Sequence, residues 1–470
     1  MSLRAGTLRG GAFLAMREAI GMLVSVAGVL FLTRLIGPGK YGLFAAAMGV
    51  YLYVMNLSQW GVAVFLIRGN PESERAEIYD QAFTLLLVLG VGAAVIVSCA
   101  TPLIASLVHL DGFRPVALIL LLVLPVQLTN QVPLARLERK LDYRRVATTE
   151  LSGQVSYYLV ALPVALRGGG VWAPVAGWWA QQVVLSVQLH ARSDLRLRLR
   201  WERQLVRQML GYGLGYSASM WVWQARSLVN PIIVGRFAGP VGVGYVALAI
   251  RVTEYLCFVK TATYRISIAA LGRVQDQIEK LRGALTEGMT LQQLVLGPLL
   301  VGFALLGPLI VSRAFGPRWV GMMRVFPLIA LAYLTNALFA LHSSVLYVRR
   351  RNWEVTSFHA AHVVLFATAA LLLVPRFGIV GYGIAEICAI PAYFIVHAWV
   401  VREAGSPRYT HALIWYACMA MALLGIPRSP AFAIAALVPL LWSPARAELT
   451  AFAKIVRERL PRPQAAPDAV

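Results

Sequence analysis

Residues 34–49 read RLIGPGKYGLFAAAMG, and residues 236–251 read RFAGPVGVGYVALAIR. At a constant offset of 202 residues, Arg34 pairs with Arg236, Gly37 with Gly239, Pro38 with Pro240, Gly42 with Gly244, Ala45 with Ala247 and Ala47 with Ala249. Chance would give about one or two identities in a window of this length and composition. Each copy sits between two long apolar stretches, so the chain reads as a membrane protein built from two related halves. Two lobes that rock against each other expose a shared site to alternate sides, which is the architecture of a transporter.

Composition agrees. The chain is 59% hydrophobic and only 14% charged, with a mean hydropathy of +0.68, where a soluble domain carries about 25% charged residues. Apolar runs of about 20 residues recur along the whole length. They predict fourteen spans, near 11–33, 43–67, 79–107, 115–135, 146–166, 173–191, 209–234, 244–264, 284–311, 321–346, 354–374, 379–400, 410–426 and 430–444. The expected fold is an all-α polytopic membrane protein with two pseudo-symmetric six-helix lobes, 1–203 and 204–405. Two extra helices (406–447) and a cytoplasmic tail (448–470) follow. An even number of spans separates the repeats, so both copies share one orientation and the implied axis runs along the membrane normal.

Lys and Arg set the sidedness. With the N-terminus inside, the inner segments hold 29 basic residues and the outer loops 9, a strong positive-inside bias. Most of the +22 net charge is thereby accounted for by topology and contact with anionic lipid heads. The basic residues are scattered over many short loops, so nucleic acid is not an expected partner. Arg4 and Arg9 precede an apolar stretch too long for a signal peptide and without a convincing cleavage site, which reads as an uncleaved first span.

Several chemistries are absent. Cys99, Cys257, Cys388 and Cys418 all lie in apolar stretches without metal-like spacing. His359 and His362 share one predicted span with no third ligand in view, so interhelical hydrogen bonding is the expected role. GPGKYG lacks the glycine spacing of a phosphate loop and the Ser or Thr after Lys40. Asp111 is the one carboxylate in the predicted outer loops, which leaves little acid–base machinery for a membrane enzyme. No cofactor, no metal and no catalytic residue are expected.

Charges inside the spans are the sharper signal. Arg17, Glu18, Arg226, Arg251, Glu254, Lys260 and Glu386 all fall in apolar context. Each costs about 2.5–3.5 kcal/mol at the centre of a span, so each needs a partner or a wet cavity. Helical spacing puts Ser219, Arg226 and Asn230 on one face of span seven, with Trp223 beside them. Arg251, Glu254, Phe258 and Thr261 lie close to one face of span eight, with Lys260 opposite as a snorkelling anchor. In span one, Glu18, Gly21 and Ser25 form a narrow stripe, with Arg17 next to it. Arg34 and Arg236 read as cations at helix C-termini on the outer face.

These motifs carry a resemblance. TRLIGPGKYGLF (Thr33 to Phe44), ARLERKLDYRRVATTE (Ala135 to Glu150), GVGYVALAIR (Gly242 to Arg251) and FGPRW (Phe315 to Trp319) resemble the polysaccharide-transporter branch of the multidrug/oligosaccharidyl-lipid/polysaccharide exporter superfamily, which includes the O-antigen flippases. The resemblance covers about residues 5–405. One departure is Asn230, where an acidic residue is frequent in that family.

The resemblance implies an inner-membrane flippase for an undecaprenyl-pyrophosphate-linked oligosaccharide, with spans one, two, seven and eight around a central cavity. Membrane lipids and other polysaccharide assembly proteins are the further partners it implies. Arg226 and Arg251 would then hold the pyrophosphate, since guanidinium forks suit phosphate oxygens. Glu18 and Glu254 would offset the arginines in the empty cavity. The competing reading is that Arg251–Glu254 and Arg17–Glu18 only neutralise each other. Trp60, Tyr216, Trp221 and Trp223 are candidates for stacking on sugar rings, or for core packing. The alternatives at this level are a multidrug or other lipid-linked exporter, or a membrane enzyme or assembly subunit of polysaccharide synthesis.

Overall fold

Glycine precedes proline at both repeated turns, and at both the backbone takes a conformation that glycine adopts without steric cost. Gly37 has φ 75° and ψ 172°, and Gly239 has φ 67° and ψ −175°. The proline that follows is preorganised to start the next helix and lacks the N–H that would go unpaired there. The two Gly-Pro pairs therefore do the same local job 202 residues apart.

The computed structural model describes residues 3–68, 76–258, 271, 277–443, 446 and 450, with side chains from Arg17 onward except at 68 and 214–216. Lys260, Thr261 and the tail from 451 lie outside the described residues, as do the side chains of Arg4, Arg9 and Tyr216. Among the described residues the regular structure is all helical, and eight helical stretches are long and apolar enough to cross a membrane. Two of these, Arg17–Gln59 and Ser217–Leu256, contain the Gly-Pro turns and supply two spans each. Ser25, Val29 and Leu32 before the first turn line the same cavity as Phe44, Met48 and Leu52 after it, so the chain reverses there.

We number the helices that matter α1 (Leu3–Gln59), α2 (Val62–Arg68) and α3 (Ala76–Val108). The bent fourth span supplies α4 (Phe113–Leu121), α5 (Leu124–Thr129) and α6 (Gln131–Arg139). Then come α7 (Tyr143–Leu166), α8 (Trp172–Arg192), α9 (Arg203–Gln224), α10 (Gly235–Leu256) and α11 (Ile278–Ala314). The last five are α12 (Phe326–Val348), α13 (Asn352–Phe377), α14 (Ile379–Cys388), α15 (Tyr393–Ala404) and α16 (Thr410–Gly425). α7 and α8, at 24 and 21 residues, are long enough to cross but too polar to stand out by composition. With α16 and the segment Pro430–Leu441, the order matches the fourteen expected spans.

Proline explains where the expected spans are not straight. Pro125 opens α5 after the Leu122–Val123 break. Pro391 sits in the short 3₁₀ turn Ile390–Ala392 between α14 and α15. Span seven changes from α9 to a 3₁₀ stretch, Ala225–Leu228, and then to a π stretch, Asn230–Val234, which contains Pro231. A proline removes the hydrogen bond to the carbonyl four residues back and its ring crowds that carbonyl. The fourteenth expected span departs most: Pro430–Leu441 is a 3₁₀ helix of 12 residues. It reaches about 24 Å, as do the 16 residues of α16, short of the ~30 Å hydrocarbon core.

The connections that follow each half are strapped down. Between α8 and α9 the chain runs extended, and alternate backbone N–H groups are captured by α3. Arg198 N–H donates to Asp80 Oδ1 (2.9 Å), Arg200 N–H to Thr84 Oγ1 (2.9 Å) and Glu202 N–H to Gln81 Oε1 (2.6 Å). Arg200 also pairs with Glu77 at 2.9 Å. In the second half Arg408 N–H donates to Thr286 Oγ1 on α11 (3.1 Å). Thr84 and Thr286 are themselves 202 residues apart, so the internal repeat extends to the way each half fastens its exit strand.

Candidate functional site

The two Gly-Pro turns meet each other. A Cβ placed on Gly42 would lie 1.8 Å from the Pro240 carbonyl oxygen, and one on Gly244 would lie 2.2 Å from that of Pro38. The contact is reciprocal, as a two-fold pseudo-symmetry requires. Glycine is fixed at both positions because only a missing side chain lets the backbones approach so closely. The repeat that marks the sequence is thus the seam between the two halves.

Other contacts tighten that seam. The Trp319 indole N–H donates to the Thr33 carbonyl at 3.1 Å, and Trp319 is buried between Tyr41 and Tyr245. Tyr245 OH donates to the Arg318 carbonyl at 2.8 Å. The FGPRW turn of the second half is therefore docked on the first span. Arg34 was expected to serve its own helix end. Instead its Nη1 donates to the Arg313 carbonyl at 3.0 Å, at the C-terminus of α11 in the other half. Arg236 has no matching role; its guanidinium lies over the Phe237 ring at 5.6 Å.

Below the seam lies a cavity of about 620 Å³. Its walls come from both arms of α1, from α7 and α8, and from Ala247, Ile250, Arg251 and Glu254 on α10. Arg17 and Glu150 stand in the N-terminal parts of α1 and α7, Arg17 well away from the Gly-Pro turn. Arg17 Nη1 lies 3.1 Å from Glu18 Oε1, and its Nε 3.2 Å from Glu150 Oε2. Arg251 Nη1 lies 3.6 Å from Glu254 Oε2, and its Nε donates to Tyr255 OH at 3.1 Å. Tyr255 OH shares a 2.5 Å hydrogen bond with Ser25 Oγ, which ties α10 to α1. Tyr333 OH donates to Glu254 Oε1 at 3.4 Å. Arg251 and Glu254 remain about half exposed, at 47% and 46%, so this pair leaves its charges accessible.

The structure brings Arg17, Arg251 and Glu254 together around this cavity and leaves the other expected residues elsewhere. Glu18 is not part of the lining. Arg226 lies inside the second half, where its Nη2 donates to Glu386 Oε1 at 2.7 Å. Its guanidinium stacks on the Trp223 ring at 4.7 Å, and Tyr382 OH donates to the same Glu386 oxygen at 3.5 Å. The 3₁₀ turn after α9 rotates Arg226 toward α14 rather than toward the seam. Asn230 sits in the π stretch with its Nδ2 donating to the Val243 carbonyl at 3.4 Å and its Oδ1 buried without a partner. It joins the two arms of the second Gly-Pro turn.

Three of the candidate stacking aromatics, Trp60, Trp221 and Trp223, are engaged in packing. Trp60 and Trp221 meet edge to face at 4.9 Å, and the Trp221 indole donates to the Asn56 carbonyl at 2.9 Å. Trp223 lies against His359 at 4.8 Å. His359 Nδ1 is 3.1 Å from Ser219 Oγ, the interhelical bond expected of it. Sequence reasoning missed Glu150, Gln154, Tyr157, Tyr158, Trp178 and Gln181, all of which line the cavity. Gln154 Nε2 donates to the Gly21 carbonyl at 2.6 Å and Tyr158 OH to the Ser25 carbonyl at 3.3 Å, so the expected Gly21–Ser25 stripe is where α7 docks.

The basic joint between α6 and α7 is internally tied. Arg145 lies 3.2 Å from Asp142 and 3.8 Å from Asp194, and its Nη1 donates to the Arg192 carbonyl. Arg192 in turn donates to Thr148 and Thr149. These contacts hold the N-terminal end of α7 and the C-terminal end of α8 together.

With this geometry in view, the comparisons with known proteins are direct. Residues 31–324, more than half the chain, match the family described as polysaccharide biosynthesis protein. The chain belongs to that family. It is 22% identical over 399 residues to the succinoglycan biosynthesis transport protein ExoT of Rhizobium meliloti (strain 1021), covering 82% of this chain and 78% of that one. It is also 22% identical over 380 residues to the lipopolysaccharide biosynthesis protein WzxC of Escherichia coli (strain K12), covering 79% and 76%. In structure it is similar to the lipid II flippase MurJ in an inward closed conformation. There the TM-score is 0.71 at 12% identity over 96% of this chain and 99% of that one. An inward-facing multidrug resistance MATE transporter of the MOP superfamily gives a TM-score of 0.61 at 16% identity, over 89% and 99%. The all-helical multi-pass fold of these membrane transporters is the fold of this protein.

Proposed function

We propose that this protein is a flippase that carries an undecaprenyl-pyrophosphate-linked oligosaccharide from the inner to the outer leaflet of the bacterial cytoplasmic membrane. The observation that carries the reading is the cavity itself. It lies between the two halves, is closed at one end by the reciprocal glycine seam, and holds two arginines, Arg17 and Arg251. Family membership and the likeness to named transport proteins support the substrate class. The positive-inside bias supports a cytoplasmic N-terminus, which puts the seam on the outer face and the cavity mouth inside.

In this reading Arg17 and Arg251 take the pyrophosphate, with Glu150 and Glu254 as their partners in the empty state. Lobes 1–203 and 204–405 rock about the seam, which opens as the inner ends close. Moving a two-charge headgroup outward across an inside-negative membrane gains about 2.3 kcal/mol per charge per 100 mV, so the potential biases the direction without an ATP site.

Reconstituted vesicles test this. A fluorescent undecaprenyl-pyrophosphate-linked sugar should cross faster with wild-type protein than in empty vesicles, and faster again under an imposed potential. Arg17→Ala and Arg251→Ala should each lower the rate at least tenfold at equal protein content. Crossing that needs ATP and ignores the potential would overturn the energetic part; absence of crossing would overturn the flippase.

A further inference from the structure

The cavity is chemically divided. Its charges stand at Arg17 and Glu150 near the mouth and at Arg251 and Glu254 on α10. Its deeper wall, built by α7 and α8, is neutral. α7 runs outward past Gln154 to Tyr157, and α8 returns past Trp178 to Gln181. Across from them stands Tyr41, just past the Gly-Pro turn.

Three polar groups on this deep surface have no protein partner. Among the described residues, the hydroxyls of Tyr41 and Tyr157 and the side-chain amide of Gln181 make no hydrogen bond to the protein. Their neighbours on the same wall are satisfied, Gln154 by the Gly21 carbonyl and Tyr158 by that of Ser25. The unengaged groups are neutral, each can donate and accept, and Trp178 adds an indole that meets Tyr51 edge to face. Hydroxyls and amides beside an aromatic surface suit a ligand rich in its own neutral hydroxyls. They carry no positive charge to offset a second anion. At about 620 Å³ the cavity falls within the usual range for a bound small molecule, enough for a few sugar rings.

We infer that Tyr41, Tyr157, Trp178 and Gln181 form a subsite for neutral sugar, distinct from the arginines that take the phosphates. The inference rests on the flippase reading and sharpens it: the saccharide lies against the neutral wall of α7 and α8, and the pyrophosphate lies with Arg17 and Arg251. Selectivity for the glycan then resides in α7 and α8, and tolerance of the common lipid carrier resides in Arg17 and Arg251.

The test uses purified full-length protein in nanodiscs and direct binding of undecaprenyl pyrophosphate, either bare or carrying glucose, galactose or N-acetylglucosamine. Wild-type protein should bind at least one glycosylated probe tenfold or more tighter than the bare lipid. Tyr157→Phe and Gln181→Ala should each erode that preference several-fold, and Tyr157→Phe/Trp178→Leu/Gln181→Ala should abolish it. Affinity for the bare lipid should stay within twofold throughout. Arg251→Ala should weaken all probes alike. Tyr157→Phe removes a single hydroxyl, so it reports even if the triple variant melts early. Equal binding of bare and glycosylated lipids by the wild type, or equal weakening of all probes by the α7 and α8 variants, overturns the subsite and leaves the flippase reading standing. Binding no better than that of undecaprenol overturns the flippase reading itself.

Discussion

A disulfide between residues 39 and 241 is expected to stop export completely, and a reducing agent to restore it. A Cβ on Gly39 would lie 3.7 Å from Val241 Cγ2, so the two positions are direct neighbours across the seam. The two positions lie on opposite halves, each beside its own Gly-Pro turn. Cross-linking them fixes the seam in the closed state, while Gly42 and Gly244 already hold the backbones in contact. The background must replace Cys99, Cys257, Cys388 and Cys418, none of which forms a disulfide among the described residues. Oxidised Gly39→Cys/Val241→Cys should fall to the rate of empty vesicles, with each single variant near wild type. Before oxidation, both thiols should react with an impermeant reagent in intact cells. Export at the wild-type rate with the cross-link complete would show that the seam does not open. Labelling of one thiol only after permeabilisation would refute the parallel repeat.

Much of this architecture was legible in the sequence, and the reason is physical. A Gly-Pro pair fixes a turn locally, and a helix that must lie in lipid announces itself by length and apolarity. Both signals survive without tertiary context. What the repeat meant did not: nothing in RLIGPGKYG says that Gly42 faces the Pro240 carbonyl, because that requires knowing that the two turns meet. Arg34 was misplaced for the same reason, since the helix end it serves belongs to the other half.

The candidate site was read less well. Span charges drew attention because they are costly in lipid, and Arg17, Arg251 and Glu254 do line the cavity. Arg226 was singled out on the same ground, but a helical wheel assumes an unbroken helix, and Pro231 distorts span seven just beyond it. Glu386 was noted as an unexplained charge; it is the partner. The neutral wall escaped notice because uncharged polar residues cost less to bury. A pattern was nevertheless present: Glu150, Gln154 and Tyr157 recur at helical spacing along one face of α7, as do Trp178, Gln181 and Leu185 on α8.

The second large effect separates the two arginines. Arg226→Ala should collapse the protein level and the melting temperature. It strands Glu386, which is only 5% exposed, as an unpaired charge inside the second half, and breaking a buried ion pair this way costs about 3–5 kcal/mol. Replacing both partners by apolar residues, Arg226→Met with Glu386→Leu, should restore the level, because a well-packed apolar pair substitutes for a buried ion pair at little cost. If Arg226 is structural, that double variant exports; if it holds phosphate, the double variant is stable and inactive. Arg251→Ala should behave in the opposite way. Its partner Glu254 is half exposed on the cavity wall, so stability changes little, while export falls to background. Arg251→Lys should recover part of the rate, keeping the charge and losing the bidentate fork. Arg251→Ala/Glu254→Ala should remain inactive, because removing the carboxylate does not return a phosphate ligand. Export restored in that double variant, with the level unchanged, would make Arg251–Glu254 a neutralising pair and leave Arg17 as the one cavity arginine to hold the substrate.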